Sequence, residues 1–538
     1  MAVHLEKSHT FGPTTPTTRD ITTGDLLKEA AKECPDQLAI ITGVNEIEKR
    51  RHWTYAELYD QAQVAAHAIL ENFEPGERIS VWAPNIPEWV ILEFASALAG
   101  TILVTVNPSY QPNELAYVLK QSKSAGIFLL TEYRGNPMIK HVEKIQHECS
   151  DLRKIIRFDE WDEFLATGHE SEKSLPIVSP SDPTMIQYTS GTTGFPKGAL
   201  LHHRGLVNNG ADTLDRMGVE KNEVWVTTMP LFHTGGCVLC VLGAVSKRAT
   251  QILVEQFDPG LVLELSETYG SNAMLGVPAM LIAMIEHPDF SSRDLSAIRT
   301  VCSGGSTVPA ALVKRFEKEL GALFTIVFGQ TECSPVASMT RTDDTVEDKA
   351  NTIGSPMPNV EVKITDPESG KTLPINTIGE YCTRGYHVMH EYFEMQDATS
   401  DAIDSDGWLH TGDLCSMDER GYCSVEGRLK DMIIRGGENI YPKEIEELLF
   451  QHATVGEVAI VGLPDDRMGE IVGAFLRVTP GETINKEELF IYLREHLSPQ
   501  KTPAHWFEVS EFPMTGSGKI QKFVLQQEWQ EGKHTPIQ

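Results

Sequence analysis

"RISVWAPNIPEWVILEFASALAG", residues 78–100, decides the fold class. Its opening, RISVWAP, is rich in β-branched and aromatic side chains and stops at a proline, as a strand does. PEWVILEFASALAG then starts with proline and ends on glycine, which are helix start and stop signals. The same alternation extends outward. QLAIITG (residues 37–43) reads as a strand. TYAELYDQAQVAAHAILENF (residues 54–73) reads as a helix, opened by the capping box Thr54-x-x-Glu57. AGIFLL, VWVTTMP and TQILV read as further strands with helical stretches between them. Strands alternating with helices over this length predict an α/β fold: a large N-terminal domain of stacked, mostly parallel sheets.

The grain changes near residue 430. GRLKDMIIRGGENIYPKEIEELL (residues 427–449) gives a charged turn, a short strand, a Gly-Gly turn and a helix. Strand VGEVAIVGLP, strand VGAFLRV, helix NKEELFIYLREHL and strand HWFEVSEFP follow. The expected division is a loose Thr/Pro-rich arm over residues 1–20, a large domain over 21–429 and a small, mobile α+β domain over 430–538.

Composition narrows the function classes. The 538 residues are 41% apolar and 23% charged, ordinary for a folded protein. With 46 basic against 76 acidic residues the formal charge is −30, which argues against nucleic acid as a partner. Nine cysteines, odd in number and irregularly spaced, suggest reduced thiols and a cytoplasmic location. Cys237 and Cys240 form a CxxC without a second pair, so no metal is assigned to them. The N-terminus lacks the apolar core of a signal peptide. FASALAGTILVTV (residues 94–106) falls short of the roughly 20 residues a membrane span needs.

YTSGTTGFPKG (residues 188–198) packs no core and favours neither helix nor strand. Its glycines let backbone approach a ligand closely, and successive N–H groups in turns make an anion nest. Thr189, Ser190, Thr192 and Thr193 add hydroxyls and Lys197 a positive charge, which suits a polyphosphate. It is not a Walker loop, because Pro196 and Gly198 flank the lysine. Alone, the stretch reads equally as a surface loop.

Other segments end that even split: PLFHTGG (230–236), SGGSTVP (303–309), FGQTE (328–332), GEYCTRG (379–385), DGWLHTGDL (406–414), GRLKDMIIRGGENIYPKEIE (427–446) and TGSGKIQK (515–522). Taken in this order, the series resembles the adenylate-forming (AMP-binding) superfamily, in its acyl-CoA synthetase and fatty-acid–CoA ligase branch. The resemblance covers nearly the whole chain. It implies an AMP-forming acid–thiol ligase using ATP, Mg²⁺ and coenzyme A. A carboxylic acid becomes an acyl-adenylate with loss of pyrophosphate, and the acyl group then passes to the thiol of coenzyme A.

The resemblance implies roles residue by residue. Thr189, Ser190, Gly191, Thr192, Thr193, Gly194 and Lys197 would clasp the phosphates. Glu332 would bind Mg²⁺, for which one carboxylate plus phosphate oxygens suffices. Thr331 would donate to the α-phosphate. Gly305, Ser306 and Thr307 would line the adenine, with Phe328 stacking on it and Gly329 and Gln330 beside it. Asp413 and Arg428 would hold the ribose. Lys519 would be the catalytic lysine between carboxylate and α-phosphate, with Lys522 a nearby decoy. Lys430 would be the hinge about which the small domain rotates, bringing Gly436 and Gly437 to the pantetheine arm. His233, Gly235, Ser303 and Gly304 would line the acyl and coenzyme A region, although on sequence alone His233 reads more readily as a satisfied core histidine. Trp408 and His410 receive no role.

No Asp or Glu occurs from Trp225 to Thr250, which weakens an amino-acid substrate. Small apolar residues there favour an alkyl or alicyclic acid, at roughly 0.8 kcal/mol per buried methylene. The expected substrate is a medium-chain fatty acid, with an aromatic acid as the alternative. A freestanding adenylating enzyme serving a separate carrier protein is the other open reading. Whether the chain forms a homo-oligomer also stays open.

Overall fold

Arg78–Trp82 is a strand and Pro87–Ala99 a helix, with Pro87 at its first position and Gly100 closing it in the left-handed region at φ 67°. The structure, a computed structural model, describes residues 5–189, 196–306, 308–514 and 520–537. Two units are distinguished: residues 9–362 with 383–409, and residues 1–8 with 363–382 and 410–538.

The larger unit holds two mixed sheets. One runs, in spatial order, Glu391–Tyr392, Lys197–His202, Pro183–Thr189, Ile102–Val106, Arg78–Trp82, Ser124–Leu129 and Lys154–Arg157. Its last five strands are parallel and its first two pair antiparallel. The other sheet runs Ser355–Pro356, Val336–Met339, Leu323–Gly329, Thr300–Gly304, Ala273–Leu275, Val224–Thr227, Thr250–Val254, Leu38–Gly43 and His52–Thr54. It is parallel from Leu323–Gly329 through Leu38–Gly43 and antiparallel at both ends. The mostly parallel expectation holds for the middle of each sheet. Parallel strands are buried on both faces, and Ile102–Val106 and Thr250–Val254 are buried at every residue.

Each sheet carries its own core. Trp82, Val104, Ile127 and Ile186 anchor the first, and Ile252, Val301, Phe316 and Phe324 the second. Fully burying side chains of this size contributes roughly 1.5–3 kcal/mol each. The helix Tyr55–Asn72 has the expected capping box at Thr54 and Glu57.

Part of the Thr/Pro-rich start is held rather than loose. His9–Phe11 is a strand, and the Arg19 N–H donates to Asn208 Oδ1 at 2.7 Å. Asn359 Nδ2 donates to the Pro16 carbonyl at 2.7 Å. Proline and threonine give no helix or strand periodicity, so such side-chain to backbone bonds leave no local signature.

In the smaller unit, Glu438–Ile440, Ile433–Arg435, Gly469–Val478 and Val455–Asp465 form a sheet, with His505–Glu508 parallel to Gly469–Val478. Helices Pro442–Phe450 and Lys486–His496 bury Ile445, Leu449, Leu489 and Leu493 in its core. Among the described residues no helix is long and apolar enough to cross a membrane. All nine cysteines are free.

Candidate active site

In the nine-stranded sheet, Val224–Thr227, Ala273–Leu275, Thr300–Gly304 and Leu323–Gly329 are consecutive parallel neighbours, so their carboxyl ends fall on one edge. That edge is where α/β sheets bind ligands. Three of the segments that follow these strands belong to the motifs, at residues 230–236, 305–306 and 330–332, and residues 276–278 follow the fourth strand. Ser303 is fully buried and its hydroxyl donates to the Gly276 carbonyl at 2.9 Å, tying two of the segments together. Gly304 closes its strand, paired with Val327. Gly305 lies at φ 80° and Ser306 is exposed beyond it.

Phe328 is half-buried near the end of its strand, and Gly329 ends it. A Cβ on Gly329 would lie 2.0 Å from the Pro335 carbonyl oxygen, so only glycine allows the chain to turn back here. Gln330 then leads into the one-turn helix Thr331–Cys333, which buries both Thr331 and Glu332.

Lys197 arrives from the other sheet. Thr189 and Lys197 are paired residues of antiparallel strands, and the Thr189 hydroxyl donates to the Lys197 carbonyl at 3.3 Å. Thr189 and Lys197 thus flank the glycine-rich stretch as register partners. Ser190, Gly191, Thr192, Thr193 and Gly194, with Thr307 and Lys519, lie outside the described residues.

Lys197 and Glu332 meet at a residue the sequence reading did not single out. Tyr392 is buried, and its hydroxyl donates to Glu332 Oε1 at 2.6 Å. The Lys197 ammonium lies over the Tyr392 ring, 4.3 Å from its centroid. Burial first, then the Glu332 carboxylate, pushes the Tyr392 phenol well above its ordinary range, so it stays a donor. Its sequence signal was an aromatic pair, Tyr392-Phe393, amid charged residues. Glu332 Oε2 makes no hydrogen bond among the described residues. A buried carboxylate with one oxygen unengaged fits a single-carboxylate Mg²⁺ site.

His233 is half-buried and its Nδ1 accepts from the Gly235 N–H at 3.1 Å. The helix Gly235–Leu242 that follows is of the wider π type and buried throughout. His202 caps the helix His203–Met217, accepting from the Gly205 N–H at 3.0 Å, and burial drops it to about 4.

In the smaller unit Asp413 and Arg428 are register partners of one hairpin, with Arg428 Nε 3.0 Å from Asp413 Oδ1. Asp413 is buried. Lys430 is exposed in the turn Leu429–Asp431. Gly436 and Gly437 make the turn between Ile433–Arg435 and Glu438–Ile440, at φ 60° and 89°. Two left-handed residues in a row suit a tight hairpin turn. Lys522 is engaged elsewhere, 2.6 Å from Glu446 Oε1.

His410 and Trp408, left without a role above, have structural contacts. His410 Nδ1 lies 2.8 Å from Glu380 Oε2 and 3.5 Å from Cys382 Sγ, and bonds with Cys382 and Glu380 push it up to about 10. Trp408 stacks under the Arg384 guanidinium at 4.5 Å.

Comparison with known proteins identifies the family. The family described as AMP-binding enzyme matches residues 27–393, and the AMP-binding enzyme C-terminal domain matches residues 444–519. YngI of Bacillus subtilis (strain 168) is 39% identical over 94% of this chain and 96% of its own length. The medium-chain acyl-CoA ligase ACSF2, mitochondrial, of Bos taurus is 36% identical over 95% of this chain and 88% of its own. The crystal structure of ATP-bound MatB from Rhodopseudomonas palustris superposes with a TM-score of 0.86 at 26% identity, covering 95% of this chain and 99% of that one. The chain belongs to the AMP-binding enzyme family, on the branch that holds the AMP-forming acyl-CoA synthetases and ligases.

Proposed function

We propose that this enzyme joins a medium-chain fatty acid, or a related apolar acid, to coenzyme A at the expense of ATP. The observation that carries the reading is the convergence of Lys197 and Glu332 on Tyr392. One cation and one buried carboxylate, drawn from different sheets, are what a metal-bound polyphosphate requires.

In the first step an oxygen of the acid attacks the α-phosphorus of ATP. A P–O bond to the β-phosphate breaks and pyrophosphate leaves. Both reactants are anions, so the protein contributes mainly positioning and positive charge. Lys197 and the hydroxyls of Thr189 to Thr193 hold the β- and γ-phosphates. Thr331 donates to the α-phosphate, and Lys519 spans acid and α-phosphate. Gly305, Ser306, Thr307 and Phe328 take the adenine, flanked by Gly329 and Gln330, while Asp413 and Arg428 take the ribose. Mg²⁺, when bound at Glu332, would neutralise phosphate charge.

In the second step the thiol of coenzyme A attacks the acyl carbonyl carbon, and AMP leaves. Rotation about Lys430 withdraws Lys519 and brings Gly436 and Gly437 to the pantetheine arm. The buried run from Gly235 to Leu242, with no acidic residue, supports an apolar acyl group, as does the similarity to the medium-chain acyl-CoA ligase ACSF2. His233, Ser303 and Gly304 border the same edge. Nine free thiols support a reducing compartment, the cytoplasm in this reading.

The test is thioester formation from coenzyme A, ATP and a series of acids: acetate, hexanoate, octanoate, decanoate, palmitate, benzoate and cyclohexanecarboxylate. The highest kcat/KM is expected with octanoate or decanoate. Pyrophosphate release with amino acids alone, or acyl-AMP that coenzyme A never consumes, would overturn it.

A further inference from the structure

Tyr392 belongs to a segment bolted on both sides. It pairs with Ala199 in the strand that Lys197 begins, and the Phe393 N–H donates to the Gly198 carbonyl at 2.8 Å. The Met389 N–H donates to the Glu332 carbonyl at 2.9 Å. Residues 389–393 thus fasten the strand that Lys197 begins to the turn that carries Glu332. The Tyr392 side chain sits at the centre of that fastening.

A phenol has one proton to give, and here it goes to Glu332 Oε1. That bond fixes the carboxylate plane and leaves Oε2 as the presented oxygen. The ring meanwhile takes the Lys197 ammonium on its face. Lys197 makes no ion pair with a carboxylate among the described residues. Its charge is held in place without being neutralised, and Glu332 keeps its own charge for a cation.

We propose that Tyr392 is a positioning residue that aims Glu332 at Mg²⁺ through its hydroxyl and holds Lys197 ready for phosphate through its ring. The proposal rests on the roles given above to Glu332 and Lys197. The two functions sit on different atoms of one side chain, so two substitutions separate them. Tyr392→Phe removes the hydroxyl and keeps the ring. Tyr392→Leu removes both.

The experiment is calorimetric titration of ATP into the full chain, with and without Mg²⁺, alongside steady-state Mg²⁺ dependence. Far-ultraviolet circular dichroism and thermal melting establish that each variant is folded. Tyr392→Phe is expected to bind metal-free ATP as the wild type does. Its half-saturating Mg²⁺ rises about tenfold, the loss of a hydrogen bond to a charged group, and excess Mg²⁺ restores kcat. Tyr392→Leu is expected to weaken metal-free ATP binding as well. In a Glu332→Gln background, Tyr392→Phe shifts nothing further, which a merely structural role would not predict. A folded Tyr392→Phe chain with wild-type Mg²⁺ dependence overturns the proposal alone. A wild type that binds no Mg·ATP overturns the reading of the site and the proposal with it.

Discussion

Asp413 and Arg428 face each other as register partners across one hairpin, Nε to Oδ1 at 3.0 Å. The pair is asymmetric. The Asp413 side chain is 7% exposed and that of Arg428 42%. A pair with one partner this open to water is worth about 1 kcal/mol or less to stability. The arrangement instead leaves a buried carboxylate held in direction by a cation that water can reach.

Asp413→Ala is therefore expected to raise the KM for ATP about tenfold or more, the loss of the charged acceptor proposed for the ribose hydroxyls. Arg428→Met should raise it less and leave the melting temperature within a few degrees of wild type. Steady-state kinetics at fixed acid and coenzyme A measure both. An unchanged KM for ATP in the Asp413 variant removes it from the nucleotide site.

Lys519→Ala should separate the half-reactions. Pyrophosphate release is expected to slow about 100-fold or more, the usual cost of losing a charge-stabilising group. Thioester formation from preformed acyl-AMP should stay near the wild-type rate, and rapid-quench kinetics distinguishes the two. Equal losses in both halves would give Lys519 a different part.

Gly329→Ala tests the turn under Glu332. Its new Cβ would sit 2.0 Å from the Pro335 oxygen, and that backbone must move. Stability should fall by about 1–3 kcal/mol, with activity falling beyond it because Glu332 follows in the displaced turn. Thermal melting and kcat together read this out. Gly321→Ala serves as the contrast for space, since nothing lies within 4 Å of that Cβ and strain at φ 66° is its only cost.

Asp212 provides a pH-dependent prediction. Burial lifts its carboxyl from 3.8 to about 7, offset in part by the Tyr386 hydroxyl donating at 2.8 Å. The folded chain then holds this proton where the unfolded chain has released it. Its contribution is full below about 4 and is lost as pH rises through about 7, by a few kcal/mol at most. Asp212→Asn cannot lose a proton and should lack this decline. Urea midpoints of both chains at about pH 5 and pH 8 give the difference. Parallel profiles would mean that Asp212 ionises normally in the fold.

Much of the architecture was legible locally. The capping box at Thr54 and Glu57, the proline at the start of Pro87–Ala99 and the Gly436-Gly437 turn are each set by neighbours in the chain. The parallel strands were legible too, because burial on both faces favours the apolar and β-branched residues that dominate them. The contacts of residues 9–19 were not, since each runs to a partner far along the chain. His410 was equally silent, because Glu380 and Cys382 reach it only by strand pairing.

By itself the sequence determined the kinds of element, and its motifs nominated Lys197, Glu332, Asp413, Arg428 and Lys519 as the charged groups of the site. Local pattern is enough for the elements, and the family resemblance of the motifs for the nominations. Only tertiary structure decided that Lys197 and Glu332 share Tyr392, which lies 60 residues beyond Glu332. Sheet order and burial set such a meeting. Both depend on the whole chain closing on itself, and no short window of residues contains them.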